Sequence, residues 1–226
     1  MQNESKHCGW IQSTIGRKQL IALTGLGLSG FLVTHMLGNM LIFLGPQAYN
    51  EYSHALVSNH LLIFAEIGLV LMFLAHFVFA LALSWSNNRA RDFRYAMLPS
   101  GPKRTSWTQR TLWAQGLLIL VFVILHLITF KYGSEYTVNY GQGEMRDLHK
   151  LVLEVFQDPR YVAWYVVALI VLAFHVAHGV GASLQTLGIS HPRYAKGIKC
   201  ASLLYAVVVI GGFVSQPLYV FFIHRG

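Results

Sequence analysis

Hydrophobic residues are grouped along this chain in five long stretches that shorter polar segments separate. Each stretch reaches the roughly 20 residues that an α-helix needs to cross the hydrocarbon core of a membrane. The pattern predicts spanning helices at residues 18–44, 60–84, 110–132, 161–184 and 197–223. It therefore predicts an all-α integral membrane bundle of five helices that forms a single domain over residues 1–226.

The polar segments add smaller predictions. Helical spacing of apolar residues before the fourth span predicts a short amphipathic helix on the outer surface, through Leu148, Leu151, Val152 and Val155. Residues 86–109 are rich in basic side chains and contain the sequence PSGP, which predicts an exposed loop. The polar start of the chain lacks a signal-peptide pattern, so we expect the first span to be retained.

Composition and charge support a membrane location. The chain is 54% hydrophobic and 12% charged, whereas a soluble domain is roughly 25% charged. Its net charge is +8, but the distribution is more informative: twelve Lys and Arg residues would lie on one side of the bundle and five on the other. The positive-inside rule then predicts a cytoplasmic N-terminus and a C-terminus outside.

Aromatic and small residues also follow the spans. Amphipathic rings near span ends are expected at the membrane interface, and these are Trp107, Trp113, Tyr132, Trp164 and Tyr165. The GxGxxG pattern of Gly25, Gly27 and Gly30 lies inside an apolar helix and does not predict a dinucleotide site. Small side chains at Gly25 and Ser29 should instead let a neighbouring helix or a flat ligand approach closely.

Five of the eleven histidines fall inside the predicted spans: His35, His76, His126, His175 and His178. Helical rise places His35 and His126 about 25 and 24 Å from the cytoplasmic ends of their spans. The corresponding depths of His76 and His175 are about 12 and 13 Å. Two layers, each with one histidine from two different helices, are thus expected. The other six histidines lie in loops or at span ends, where most should be solvated.

Two such layers suit two haems, each held by two neutral imidazoles. For any one buried histidine, a hydrogen bond to a neighbouring carbonyl is the simpler alternative, and a redox-inert metal site would need about four ligands at one depth. His178 competes with His175 for the fourth ligand position and is otherwise available to a haem propionate. Gly38 and Gly179 should leave room for a porphyrin edge. The absence of a CxxCH motif around Cys8 and Cys200 implies haem without thioether links.

Several motifs resemble the cytochrome b subunit of succinate dehydrogenases and fumarate reductases, of the type with one anchor polypeptide and two haems. They are STIGRKQLIALTGL from Ser13, THMLGNMLIFLGPQAYNEYSHAL from Thr34, LAHFVFAL from Leu74, ILHLITF from Ile124, and FHVAHG from Phe174 on to QTLGI. The resemblance extends over nearly the whole chain. It implies that His35 and His126 bind the iron of the distal haem, and that His76 and His175 bind that of the proximal haem.

The resemblance also implies partners and a location. The chain would anchor an iron-sulfur protein and a flavoprotein carrying FAD to the bacterial cytoplasmic membrane, and would pass electrons between the iron-sulfur protein and a quinone, by family a menaquinone. Some fumarate reductases of this type have a buried Glu two residues before the fourth ligand. That position is Ala173 here, so the corresponding proton path should be absent.

A quinone site needs a proton donor or acceptor near a haem edge, and the candidates toward the outer end are Glu51, His54 and Glu66. Glu66 is the one acid within a predicted span. Two other functions fit the same pattern. The chain could be the di-haem anchor of a hydrogenase, formate dehydrogenase or nitrate reductase, or a structural membrane protein without haem.

Overall fold

The structure is a computed structural model that describes residues 9–89 and 107–224. Five helices within these residues are long and apolar enough to cross a membrane. The predicted all-α membrane bundle of five spanning helices is therefore confirmed. The chain is a multi-pass membrane protein.

Four of the five spanning helices are longer than predicted, whereas the third span, Leu112–Lys131, is slightly shorter than the predicted 110–132. The five are α1 (Thr14–Asn39, continued by a 3₁₀ turn, Met40–Leu44), α3 (Leu62–Arg89), α5 (Leu112–His126, continued by a π-helical turn, Leu127–Lys131), α7 (Pro159–Thr186) and α8 (Pro192–Ile223). The shorter elements are a 3₁₀ turn (Trp10–Gln12), α2 (Pro46–Val57), α4 (Trp107–Arg110), β1 (Thr137–Asn139), β2 (Glu144–Arg146) and α6 (Leu148–Gln157).

Side-chain caps mark the start of three of the spanning helices, α1, α7 and α8. Ser13 accepts a hydrogen bond from the Gly16 amide at the start of α1. Asp158 and His191 cap α7 and α8 in the same way. Each is followed by a proline, which loses no helical hydrogen bond there because the first N–H groups of a helix have no partner within it. Polar residues just outside the apolar stretches thus fix the ends of the spans.

Four spanning helices form a ring, with α8 packed outside it against α7 and α1. Around the ring, α1 contacts α3, α3 contacts α5, α5 contacts α7, and α7 contacts α1. Within the described residues, the opposite helices, α1 with α5 and α3 with α7, make at most marginal backbone contact. The space between opposite helices is where a bundle of this kind holds a cofactor.

A small extramembrane layer covers one end of the ring. This outer cap consists of α2, the antiparallel β1–β2 hairpin and α6. Its centre is the fully buried Asn50 side chain, which donates to Asp147 Oδ1 (2.8 Å) and Tyr140 (3.2 Å) and accepts from the His149 amide (2.9 Å). We name this end of the bundle outer, because the charge distribution predicts that it faces away from the cytoplasm, and the opposite end inner.

The cap confirms one prediction from the sequence and adds an exception to another. Helix α6 forms where apolar spacing predicted it, and its apolar face packs against α2, α7 and α8. Most of the six histidines in loops or at span ends were expected in solvent, but His149, one of the six, is buried, with 7% of its surface exposed, because it lies on that packed face. Burial lowers the pKa of His149.

The predicted loop at residues 86–109 is partly helical. Helix α3 continues to Arg89, and α4 begins at Trp107. Ser86 accepts a hydrogen bond from Arg17 of α1 (3.0 Å), which holds the end of α3 against the bundle. The basic residues predicted in the rest of this loop lie outside the described residues, and these are Arg91, Arg94, Lys103 and Arg104.

Candidate functional site

The outer histidine pair lies across one diagonal of the ring. His35 of α1 and His126, the last residue of α5, have ring centroids 5.8 Å apart and nearly perpendicular planes (89°). Aromatic side chains surround the two rings: Phe31, Phe122, Phe130, Tyr165 and Phe213. The pair thus lies among aromatic rings in the outer half of the bundle.

The inner histidine pair lies across the other diagonal. His76 of α3 and His175 of α7 have ring centroids 6.3 Å apart and an interplanar angle of 74°. Tyr165, which contacts His126, and His175 are ten residues apart on α7, so the two pairs are about 15 Å apart along the bundle. The structure therefore brings together the same two pairs that helical depth predicted.

The distance between the ring centroids of each pair can be compared with the distance expected when both imidazoles bind one metal ion. A metal–imidazole nitrogen distance of about 2.0–2.1 Å places the centroids of two imidazoles on opposite sides of one ion about 6.4 Å apart. The inner pair, at 6.3 Å, agrees with this value, and the outer pair, at 5.8 Å, is slightly closer. Each pair thus has about the centroid spacing that two imidazoles bound to one ion would have.

The ring of His76 has a defined tautomer. Its Nδ1 lies 3.1 Å from the Ile21 carbonyl oxygen and 3.1 Å from Thr24 Oγ1. A carbonyl oxygen can only accept, so Nδ1 must carry the proton. In a neutral imidazole the second nitrogen, Nε2, then has a free lone pair and can bind a metal.

The ring of His126 is held by a residue that the sequence did not identify. Its Nδ1 lies 3.2 Å from the hydroxyl of Tyr165. Tyr165 was expected at the membrane interface, but 6% of its surface is exposed and its ring packs inside the bundle. Trp113 and Tyr132, by contrast, are 60% and 74% exposed near their span ends, as interface residues should be.

His35 is connected to the outer cap. The Asn39 amide donates to the His35 carbonyl (2.9 Å) and lies 3.4 Å from His35 Nδ1. The side-chain oxygen of Asn39 accepts a hydrogen bond from the hydroxyl of Tyr49 on α2 (2.8 Å). Tyr49 is buried, which raises the pKa of its hydroxyl, so it remains a donor. The cap thus supports the outer pair through two hydrogen bonds.

His175 and His178 differ in position, although one helical turn separates them. His175 faces His76 and is the member of the inner pair. Its Nδ1 is buried, and no hydrogen-bond partner for it occurs in the part of the chain that the structure describes. An unsatisfied buried nitrogen costs about 1–3 kcal/mol, so an added group could relieve that cost. His178 lies half-buried on the same helix, outside the ring pair.

The two glycines expected to leave room for a porphyrin edge, Gly38 and Gly179, have different surroundings. A side chain at Gly179 would meet no atom within 4 Å, so the space beside His175 is open as expected. A Cβ at Gly38 would lie 2.7 Å from the Tyr52 ring, so the expected room for a porphyrin edge is absent there. The reason is that α2 folds back over the end of α1 and places Tyr52 in that space.

The three proposed quinone-site residues have separate surroundings. Glu66 forms an ion pair with Lys131, at the end of the π-helical turn that follows His126. Glu51 accepts a hydrogen bond from Gln47 on the surface of α2 (2.8 Å). His54 is exposed and lines a surface hollow of about 350 Å³ with Glu135, Glu144 and Arg146 of the cap. Of the three, Glu66 lies on a spanning helix.

The histidines meet in pairs rather than in larger groups. In residues 9–89 and 107–224, no cluster of three or more His, Cys, Asp or Glu side chains could hold a metal ion. An iron ion in a macrocycle needs only two ligands from the protein, whereas a bare zinc ion needs about four.

No protein-family model, curated protein or solved structure matches this chain. The resemblance to the succinate dehydrogenase and fumarate reductase anchors therefore stays a prediction from its motifs.

Proposed function

We propose that this chain is a transmembrane electron carrier that holds two b-type haems and serves as the membrane anchor of a succinate:quinone oxidoreductase. The observation that supports it best is the presence of two histidine pairs on crossed diagonals of one ring, about 15 Å apart along the bundle. Each pair bridges helices that make little contact with each other. A flat macrocycle between them would fill that space.

The residues of the chain would hold the haems at two depths. His35 and His126 would hold the outer haem, and His76 and His175 the inner haem. A haem held by two imidazoles would supply one-electron transfer. The hydrogen bonds to His76 and His126 orient their rings.

The succinate branch of the proposal rests on the motifs. An iron-sulfur protein, with its FAD flavoprotein, would bind at the inner end, where Arg17 and Arg89 lie. A quinone, by family menaquinone, would react at the outer end near Glu66, with Glu51 and His54 as further candidates. The membrane would be the bacterial cytoplasmic membrane, with the N-terminus in the cytoplasm. Ala173, on α7, places no acid beside the inner pair.

A reduced-minus-oxidised spectrum of the purified protein tests the haem proposal directly. We expect b-type bands with two haems per chain, and co-purification with a flavoprotein and an iron-sulfur protein. Two haems with a hydrogenase, formate dehydrogenase or nitrate reductase as partner would keep the electron-carrier function and reject the succinate assignment. A purified chain with no b-type band would leave a structural membrane protein and reject the proposal.

A further inference from the structure

One short segment of α1 contacts the Nδ1–Cε1 edge of the His76 ring. The Ile21 carbonyl and Thr24 Oγ1 each lie 3.1 Å from Nδ1. A Cβ at Gly25 would come within 3.0 Å of His76 Cε1 and 3.4 Å of Nδ1. A side chain at position 25 would therefore be tight against the ring, which would have to shift by a few tenths of an ångström.

The hydroxyl of Thr24 acts as an acceptor toward His76. Its own proton is used within the helix, because Oγ1 donates to the Leu20 carbonyl at 2.6 Å. A threonine in a spanning helix often satisfies its hydroxyl on the carbonyl four residues earlier. Thr24 does so and keeps a lone pair free for the Nδ1 proton of His76. Two acceptors, one from the main chain and one from a side chain, thus share a single N–H.

The other member of the inner pair lacks this support. Within the described residues, His175 Nδ1 has no hydrogen-bond partner. Within the inner pair, His76 is thus the ring whose Nδ1 is held by hydrogen bonds in the described residues. A hydrogen-bond acceptor at Nδ1 raises the basicity of the opposite nitrogen and fixes the orientation of the ring.

We propose that Thr24, together with the Ile21 carbonyl, is a positioning residue that fixes the metal-binding tautomer of His76 and lowers the midpoint potential of the inner haem. This inference rests on the proposed function, since it assigns Thr24 a role toward that haem. Extra electron density on His76 Nε2 favours the ferric over the ferrous state. Removing the Thr24 oxygen weakens that preference and leaves the Ile21 carbonyl as the remaining acceptor.

The test compares three variants by spectroelectrochemical titration of the assembled complex. Thr24→Val keeps the shape of the side chain and removes the oxygen, whereas Thr24→Ser restores it. Thr186→Val is the matched control, because Thr186 Oγ1 makes the same bond to a carbonyl four residues earlier, on α7 (2.8 Å). We expect Thr24→Val to raise the inner-haem midpoint by about 30–60 mV, a threefold to tenfold change in the one-electron equilibrium. Thr24→Ser should restore most of the shift, and the outer haem and Thr186→Val should not move.

A second measurement does not depend on bound haem. In apoprotein labelled with ¹⁵N-histidine, the His76 resonances should report a proton on Nδ1, and Thr24→Val should increase the population protonated on Nε2. Loss of the inner haem alone in Thr24→Val, recovered in Thr24→Ser, would also support the positioning role.

Two results would overturn the inference while the proposed function stands. One is an unchanged inner-haem midpoint in a Thr24→Val complex that contains both haems. The other is a wild-type apoprotein in which His76 carries its proton on Nε2. A wild-type protein without haem would instead reject the proposed function, and the ¹⁵N measurement would still decide whether Thr24 fixes the tautomer.

Discussion

Ring centroids are 6.3 Å apart in the inner histidine pair and 5.8 Å apart in the outer pair, yet the two pairs take their support from different parts of the chain. Residues from Ile21 to Gly25, about one turn of α1, hold His76. The outer pair relies on side chains that are distant in sequence, namely Tyr165 for His126 and Tyr49, through Asn39, for His35.

This difference predicts different sensitivities. The support of His76 depends on the Thr24 hydroxyl, on the Ile21 carbonyl and on the close approach at Gly25, so it fails where one of these is altered. Support from the cap fails when the cap itself is loosened. The inner pair should therefore be sensitive to one added methyl group at Gly25. The outer pair should instead be sensitive to changes in the outer cap.

The largest expected effect comes from removing a ligand of the inner pair. His76→Ala and His175→Ala should each remove the same haem and leave the outer one, because a single imidazole binds haem iron weakly. The haem content, measured optically, should fall from two haems to one. His178→Ala is the control and should keep both. Loss of the inner haem in His178→Ala, with its retention in His175→Ala, would contradict the assignment of His175.

The next effect tests the close approach of α1 to His76. In Gly25→Ala, the new methyl group would lie 3.0 Å from His76 Cε1, so the ring must shift and the occupancy of the inner haem should fall several-fold. Gly30→Ala, on the same helix, meets no atom within 4 Å and should bind both haems normally. Equal haem content in the two variants would show that α1 does not hold His76.

The outer and inner ends of the bundle also differ in the acidic residues that quinone chemistry could use. Glu66, paired with Lys131, lies toward the outer end, whereas position 173, two residues before His175 of the inner pair, is Ala. Glu66→Gln should keep both haems and succinate oxidation with an artificial acceptor, but lose most quinone-linked activity because the titrating group is gone. Glu154→Gln, at an exposed position on α6, is the matched control. Normal quinone turnover in an assembled Glu66→Gln complex would move the role to Glu51 or His54.

The smallest effect tests the cap. Asn50→Ala removes three hydrogen bonds inside the cap and leaves Asp147 and the His149 amide with fewer partners, at a cost of about 1–3 kcal/mol. We expect a lower melting temperature and earlier loss of the outer haem than of the inner haem. Asn87→Ala, at an exposed position near the inner end of α3, should change little. Simultaneous loss of both haems on heating would show that the cap does not act selectively on the outer pair.

The spans could be predicted from the sequence because hydrophobic length alone determines them, and helical rise was sufficient to pair the histidines by depth. Helix α2 was missed because its residues are mostly polar. Gly45, with φ of 99°, and Pro46 at the first helical position were usable start signals for it. The hairpin had a similar signal in Gly141 and Gly143, both with positive φ.

The partners of the histidines could not be predicted from the sequence. Tyr165 lies near a span end, where an interface position is the ordinary expectation, and only the packing of α7 against α5 turns it toward His126. The role of Thr24 depends on the rotation of α1 relative to α3. Local sequence does not determine such rotations, because they result from how neighbouring helices pack.

The position of the cap residues along the chain also bears on how the protein is made. Asn50 bonds to Asp147 and to His149, which follow it by 97 and 99 positions and precede α7. During co-translational insertion, the cap can close once α5 and the segment through α6 have crossed the membrane, and both histidines of the outer pair are then present. His175 emerges from the ribosome later. The order of synthesis therefore brings the outer histidine pair together before the inner one.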